Sequence, residues 1–311
     1  MKINQEEIPK KIIESNIAII GYGPIARAIA LCFRDSGYKV SIGLRDISQN
    51  IQNAKDDSFP VATIKESVSI ADAVFLLIPD DVQGDVFKEH VSQVMRKNSI
   101  LVLAHGYSFL YEKIELPDGI DGVVIAPHGP GKALRELYLA GSGLACEIAI
   151  YQDFTGNATN RAIALARSLG FDKGCLRITS VADEVIMDQF SEQMVLCGGV
   201  VELMRAAYKT LVDAGYNPES AYESVVRELK YTIDIMHDYG PEGLFLIISK
   251  SALIGSILNG KMAVGDDVMK RMKSVLDEIR AGEFEKKFRS YAERLPDLEH
   301  FIEQLKRDFE H

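Results

Sequence analysis

Asp188 and Glu192 lie four residues apart in a segment of helical periodicity, so their carboxylates share one face, and Glu184 lies one turn earlier. Glu228 belongs to a second helical segment. Two such helices converging would supply the oxygen ligands of an octahedral magnesium ion that keeps several waters. The same acids also suit a solvated face, and spacing alone does not choose between the two. His105 directly follows the apolar run Ile100–Ala104, which puts a group that titrates near neutrality at a strand end. There it can donate a proton, orient a water or be structural. Pro127-His128-Gly129-Pro130-Gly131 is a stiff loop after another apolar run, either pressed against a cofactor or a tight turn without ligand. Ser249 offers a hydroxyl among apolar neighbours; with no partner nearby in sequence it reads as a structural serine inside a helix.

These groups need a scaffold, and its first piece is the stretch Asn16–Ala30 followed by Ser41–Arg45, which reads as strand, glycine turn, helix, strand. Ile17–Ile20 suit a buried parallel strand, and Gly21 and Gly23 let the backbone turn tightly and approach a pyrophosphate. The helix that follows aims its N-terminus at that charge, and Ala26 fills the third, packing position of the fingerprint. Where an NAD-type site would carry an acid after the second strand, this chain has Arg45, with Ser48 and Asn50 close by. That set suits a 2′-phosphate and favours NADPH, while Asp46 argues for NADH by repelling phosphate.

Further apolar runs at Ala73–Pro79, Ile100–Ala104, Gly122–Ala126 and Leu144–Tyr151, with an amphipathic segment at Asp81–Met95, alternate strand and helix. The expectation is an α/β doubly wound, mostly parallel sheet. Ligand loops should lie at the strand C-termini: Gly21–Ile25, Arg45–Asn50, Pro79–Gln83, His105–Tyr107 and Pro127–Gly131. From residue 182 the strand-like runs give way to helical periodicity, so the chain divides into a dinucleotide-binding domain, 1–181, and an all-helical domain, 182–311. Segments such as Val195–Met204 are apolar on more than one face, which predicts burial inside the domain or at a subunit contact, and a homodimer or higher oligomer is the expectation. Pro296–His311 reads as a solvated helix or frayed tail.

A formal net charge of -10 disfavours nucleic acid and anionic membranes as partners. No apolar run approaches the roughly 20 residues that span a bilayer, and the polar start Met1–Glu7 lacks a signal-peptide core. A cytoplasmic location is the expectation, with a small molecule as substrate. Cys32, Cys146, Cys175 and Cys197 lack Cys-x-x-Cys spacing and read as buried reduced thiols.

Several strings, in order along residues 16 to 290, resemble the ketol-acid reductoisomerases, the acetohydroxyacid isomeroreductases of branched-chain amino-acid biosynthesis. They are Gly21-Tyr-Gly, Arg34-Asp-Ser-Gly37, Gly43-Leu-Arg45, Leu77–Gln83, Ala104-His-Gly106, Gln152-Asp153, Thr155–Ala158 and Glu192–Gly199. The resemblance implies a Rossmann domain, a knotted helical domain and active sites completed across a subunit interface. It implies magnesium-assisted alkyl migration in a 2-hydroxy-2-alkyl-3-oxo acid, then hydride transfer from NADPH. Tyr22, Gly23, Pro24, Ile25, Arg45, Ser48, Asn50, Asp80 to Gln83 and Gly131 fall at the family's cofactor positions. His105 falls on its active-site histidine, Asp188, Glu192 and Glu228 on metal ligands, and Ser249 on the serine that contacts substrate carboxylate.

The chain also departs from the family. The fourth metal carboxylate is Ser224, and Glu223 does not simply replace it, because one residue rotates a side chain by about 100° around a regular helix. The lysine of the Lys-Gly-Pro-Gly loop is His128, itself a proton donor if it points into the site. Lys250 and Leu253 stand where the family carries acids, and Ile186 replaces an acid two before Asp188. These changes surround metal and substrate, so migration should suffer before reduction. Three readings follow: a ketol-acid reductoisomerase, a reductase of the same fold that has lost migration and reduces a 2-oxo acid or related carbonyl or imine, and a non-catalytic cofactor-binding protein.

Overall fold

A computed structural model describes residues 16–292 and 295–310; the polar start Met1–Glu7 lies outside them. Eight strands form one sheet: β1 (Asn16–Ile20), β2 (Lys39–Leu44), β3 (Val61–Thr63), β4 (Ala73–Leu76), β5 (Ile100–Leu103), β6 (Asp121–Pro127), β7 (Cys146–Gln152) and β8 (Leu176–Thr179). Their order is β3-β2-β1-β4-β5-β6-β7-β8. All neighbours are parallel except β6 and β7, which run antiparallel. Strand order reverses between β1 and β4, the crevice where doubly wound sheets bind ligands.

The strands are apolar throughout because both faces are covered. Ile17 and Ile19 of β1, Phe75 of β4 and Val102 of β5 pack with the helices Pro24–Asp35 and Ala158–Ser168 on one face. Ala18, Ile20, Val74, Leu76, Leu101 and Leu103 point the other way, onto Ile64, Val68, Phe87 and Phe109. This is the period-two alternation of a strand divided between two cores. At the start of β6, Asp121 is fully buried and accepts hydrogen bonds from Thr155 N (2.9 Å), Thr155 Oγ1 (2.7 Å) and Arg161 Nη1 (2.6 Å).

Two compact units divide the chain, Met1–Val185 and Ile186–His311, with the boundary inside the helix Val181–Ser191. The second contains the helices Gly199–Asp213, Pro218–Tyr222, Leu229–Ile247, Lys250–Ala263, Asp266–Arg280, Glu283–Ala292 and Leu295–Asp308. Leu229–Ile247 is kinked at Gly240 (φ 75°), followed by Pro241. Among the described residues no single helix is long and apolar enough to cross a membrane.

Several expectations are corrected. The segment Asp81–Met95 is an α-helix, Asp80–Val86, that widens into a π turn, Phe87–Val91. Of the two forms expected for the C-terminal segment, the solvated helix holds and the frayed tail does not: Leu295–Asp308 is helical and exposed over 299–304, Asp308 pairs with Arg205 at 2.9 Å, and Phe309 packs on Tyr208 and Tyr222. Of the four free thiols, Cys32 and Cys146 are buried, but Cys175 is half-buried and Cys197 exposed.

Candidate cofactor and metal site

The glycine turn follows β1 at the switch point. Gly21 adopts φ +97°, and a Cβ there would run into the Leu77 carbonyl, so both conformation and space require glycine. Gly23 caps the helix Pro24–Asp35 with an ordinary φ of -76°, yet a Cβ on it would meet nothing within 4 Å. Its glycine leaves open space for a ligand to approach the backbone. A Cβ on Gly131, at the start of the helix Gly131–Leu139, would collide with the Pro24 carbonyl and the Ile25 Cα. The absent side chain therefore lets two helix N-termini touch. Neither has a side-chain cap or an acid in its first turn, which leaves both positive ends to an anion. Tyr22, Gly23, Pro24, Asn50, Gly131 and Arg135 help to line a cavity of about 840 Å³.

After β2, Arg45 is exposed and forms no ion pair among the described residues. Ser48 N donates to the Arg45 carbonyl (2.9 Å) and Ser48 Oγ accepts from Asn50 N (3.3 Å), so the loop curls with its hydroxyl and amide together. Asp80 starts the helix after β4. Gln83 is buried with its amide committed to protein: Nε2 donates to Ile78 O (2.9 Å) and Asp80 Oδ1 (3.0 Å), and Oε1 accepts from Ser108 (2.8 Å). It braces the loop rather than presenting a free amide.

His105 lies two residues beyond β5. Its Nδ1 is 2.9 Å from Glu184 Oε1, while Glu184 Oε2 accepts from Gly106 N at 2.8 Å. Glu184 is buried, and a Cβ on Gly106 would crowd its carboxylate and Val181. Because a carboxylate only accepts, the proton of this bond sits on Nδ1. Asp188 follows Glu184 by one turn of the same unbroken helix, and one ligand atom from each of His105, Glu184 and Asp188 lies within 4.8 Å of the others. An imidazole and two carboxylates are donors that divalent cations accept, so these residues fit a metal.

Glu192 and Glu228 stand outside that group; both are exposed. Each lies beside a π turn: Glu192 begins Glu192–Leu196, and Glu228 N bonds to Glu223 O at the end of Glu223–Arg227. Wide turns of this kind occur often at functional sites. Glu223 opens a π turn, where the step per residue is only somewhat smaller than the roughly 100° of a regular helix, and it pairs with Arg227 at 2.5 Å. Ser249 is not interior to a helix: it caps Lys250–Ala263, accepting from Ala252 N at 3.2 Å. His128 is half-exposed, with Nε2 3.9 Å from Glu147 Oε2.

Glycine turn, switch point and paired helix termini define a nicotinamide-dependent oxidoreductase of doubly wound architecture. A semialdehyde dehydrogenase NAD-binding protein from Cupriavidus necator shares the fold at a TM-score of 0.65, with 16% identity over 86% of this chain and 99% of that one. Closer matches narrow the class. Residues 11–175 match the acetohydroxy acid isomeroreductase NADPH-binding domain and residues 181–310 the ketol-acid reductoisomerase C-terminal domain. The chain belongs to the ketol-acid reductoisomerase family. It is 39% identical to the ketol-acid reductoisomerase (NADP(+)) of Sulfolobus acidocaldarius over 89% of this chain and 83% of that protein. It is 36% identical to that of Pyrococcus abyssi over 98% and 91%. The structure of an NADH-preferring ketol-acid reductoisomerase from an uncultured archean aligns at a TM-score of 0.94, 31% identical over 98% of this chain and 94% of that one.

Proposed function

We propose that this chain is an NAD(P)H-dependent, magnesium-assisted ketol-acid reductoisomerase acting on a small branched hydroxy-oxo acid. The observation that carries the reading is the His105–Glu184–Asp188 group, in which Glu184 orients His105 and Asp188 stands beside them as the metal carboxylate. When bound, the nicotinamide supplies the hydride and magnesium stabilises developing alkoxide and polarises the ketone. The chain supplies the rest. Backbone N–H groups at Gly21–Ile25 and Gly131 hold the pyrophosphate; Arg45, Ser48 and Asn50 hold a 2′-phosphate and favour NADPH, with NADH the alternative through Asp46. Asp80 and Gln83 shape the adenosine side. Glu184 keeps the His105 proton on Nδ1 and so sets Nε2 for proton transfer. Asp188, Glu192 and Glu228 hold metal, and the Ser249 hydroxyl, at a helix N-terminus, receives substrate carboxylate. His128 can donate a proton, in competition with Glu147.

The proposed active unit is a homodimer or larger. Leu246 (86% exposed), Met262 (82%), Ile257 and Leu258 (both 68%) lie open on the helices Leu229–Ile247 and Lys250–Ala263, and the second of these has no buried residue. Apolar surface on this scale marks an interface, and a second copy of this chain is its occupant. Exposed Glu228 then completes the metal site of another copy. Ser224, in place of a metal carboxylate, supports a second reading, a reductase that has lost migration.

The test supplies purified protein with magnesium and NADPH or NADH, first with 2-acetolactate and separately with its migrated isomer, 3-hydroxy-3-methyl-2-oxobutyrate. Turnover of both is expected. Turnover of the isomer alone selects the second reading, and turnover of neither overturns both.

A further inference from the structure

Asp57 lies outside the residues that touch substrate or metal, yet three side chains from the cofactor turn and its helix converge on it. Tyr22 Oη donates to Asp57 Oδ2 at 2.7 Å. Arg27 grips both carboxylate oxygens, Nε to Oδ2 at 2.6 Å and Nη2 to Oδ1 at 2.8 Å. Arg34 Nη1 donates to the Asp57 carbonyl at 2.9 Å and lies 5.3 Å from the centre of the Phe59 ring, which meets Tyr22 edge-on.

Asp57 ends the helix Ile51–Asp56, whose cap is Asn50. Six helical residues span roughly 9 Å and are unstable alone, so this helix needs an anchor at its far end. Gly21 and Gly23, which flank Tyr22, contribute no side chains, and Gly23 makes no cap bond. Beside the Gly21 N to Gly43 O bond (3.2 Å), the buried Tyr22 ring and its hydroxyl orient the peptide groups of the turn.

We propose that Asp57 is a positioning residue for the dinucleotide: through Tyr22 and Arg27 it holds the Gly21–Pro24 turn against the segment bearing Arg45, Ser48 and Asn50. One carboxylate thus sets the spacing between the pyrophosphate end and the 2′-phosphate end of the cofactor site. The Arg27 hydrogen bonds hold the Asp57 carboxyl below its usual range against the opposing effect of burial, so the link is ionised at neutral pH. Arg27, bound on both Asp57 oxygens, serves the turn and not the phosphate. The inference rests on the dinucleotide reading of the site.

The test is NADPH titration by cofactor fluorescence on wild type, Asp57→Asn, Tyr22→Phe and the double variant, with thermal midpoints of the cofactor-free proteins and a split of KM against kcat. Asp57→Asn should raise the Kd about tenfold and Tyr22→Phe roughly threefold, because the first weakens the bonds from both Arg27 and Tyr22 and the second removes one of them. The double variant should match Asp57→Asn, because Tyr22 acts through Asp57. The KM for NADPH should rise while kcat at saturating cofactor holds, and Asp57→Glu should recover part of the affinity. A wild-type protein that fails to bind NADPH defeats the dinucleotide reading itself. A binding wild type with an Asp57→Asn Kd unchanged, or effects that multiply in the double variant, overturns the positioning role. Should Asp57→Asn fail to fold, an unchanged Kd in Tyr22→Phe overturns it equally.

Discussion

In the first unit the apolar strand residues are covered by helices of the same unit, and Ile19, Phe75 and Leu103 have essentially no exposure. In Ile186–His311 the buried hydrophobics among the described residues are Tyr208, Ala221 and Ile279, while Leu246, Met262 and Leu258 lie open. The first unit completes its own core, whereas the second leaves large apolar side chains exposed. The chemistry divides similarly. The glycine turn, paired helix ends and Arg45–Asn50 loop belong to one unit, whereas Glu192 and Glu228 are exposed on the other. On the proposed assignment, the cofactor half can persist while the metal half changes.

Four substitutions and one titration test this contrast. Asp121→Ala should have the largest effect, about 3–5 kcal/mol of stability, because it leaves the Arg161 guanidinium in a buried site without its carboxylate. The urea midpoint of the sheet unit reports it, and a small loss would mean that this core is less self-contained than its burial indicates. Asp188→Ala should cut kcat on 2-acetolactate by about 10²–10³-fold while NADPH affinity holds. Weakened NADPH binding in that variant would break the division of labour. Leu246→Asp should weaken self-association by about tenfold or more, read by light scattering against concentration. A wild-type protein that stays monomeric would sink the proposed interface.

Ser249→Ala removes a helix cap and should cost about 1 kcal/mol. Its KM for substrate should rise as well; a stability loss with unaltered KM leaves the serine a cap only. The smallest effect is acidic. Because the Arg27 hydrogen bonds hold the folded Asp57 carboxyl below its unfolded value of about 3.9, its stabilisation is fully present above that pH. It is lost as pH falls through the folded value, so the melting difference between wild type and Asp57→Asn should close under acid. A gap that persists there assigns the stability to something other than this carboxylate.

The cofactor half was the more legible in sequence because its signals are local: Gly21 is required by its own φ and by the adjacent Leu77 carbonyl. Strands β3 (Val-Ala-Thr) and β8 (Leu-Arg-Ile-Thr) went unread because neither forms a continuous apolar run, and the antiparallel turn of β7 has no local mark. Glu184 was visible as an acid one turn before Asp188, but its bond to His105 joins residues 79 apart. The π turns at Glu192 and Glu223 left no trace in composition.

By itself the sequence determined the alternation of strand and helix, the glycine turn and the helical second half, because each depends on residue type within a few positions of chain. Tertiary structure alone decided that Glu184 faces His105, that Gly131 lets two helix ends meet and that Asp57 gathers Tyr22, Arg27 and Arg34. Those contacts depend on where distant segments cross, and hydrophobic patterning dictates which face is buried without saying which polar groups meet beside it.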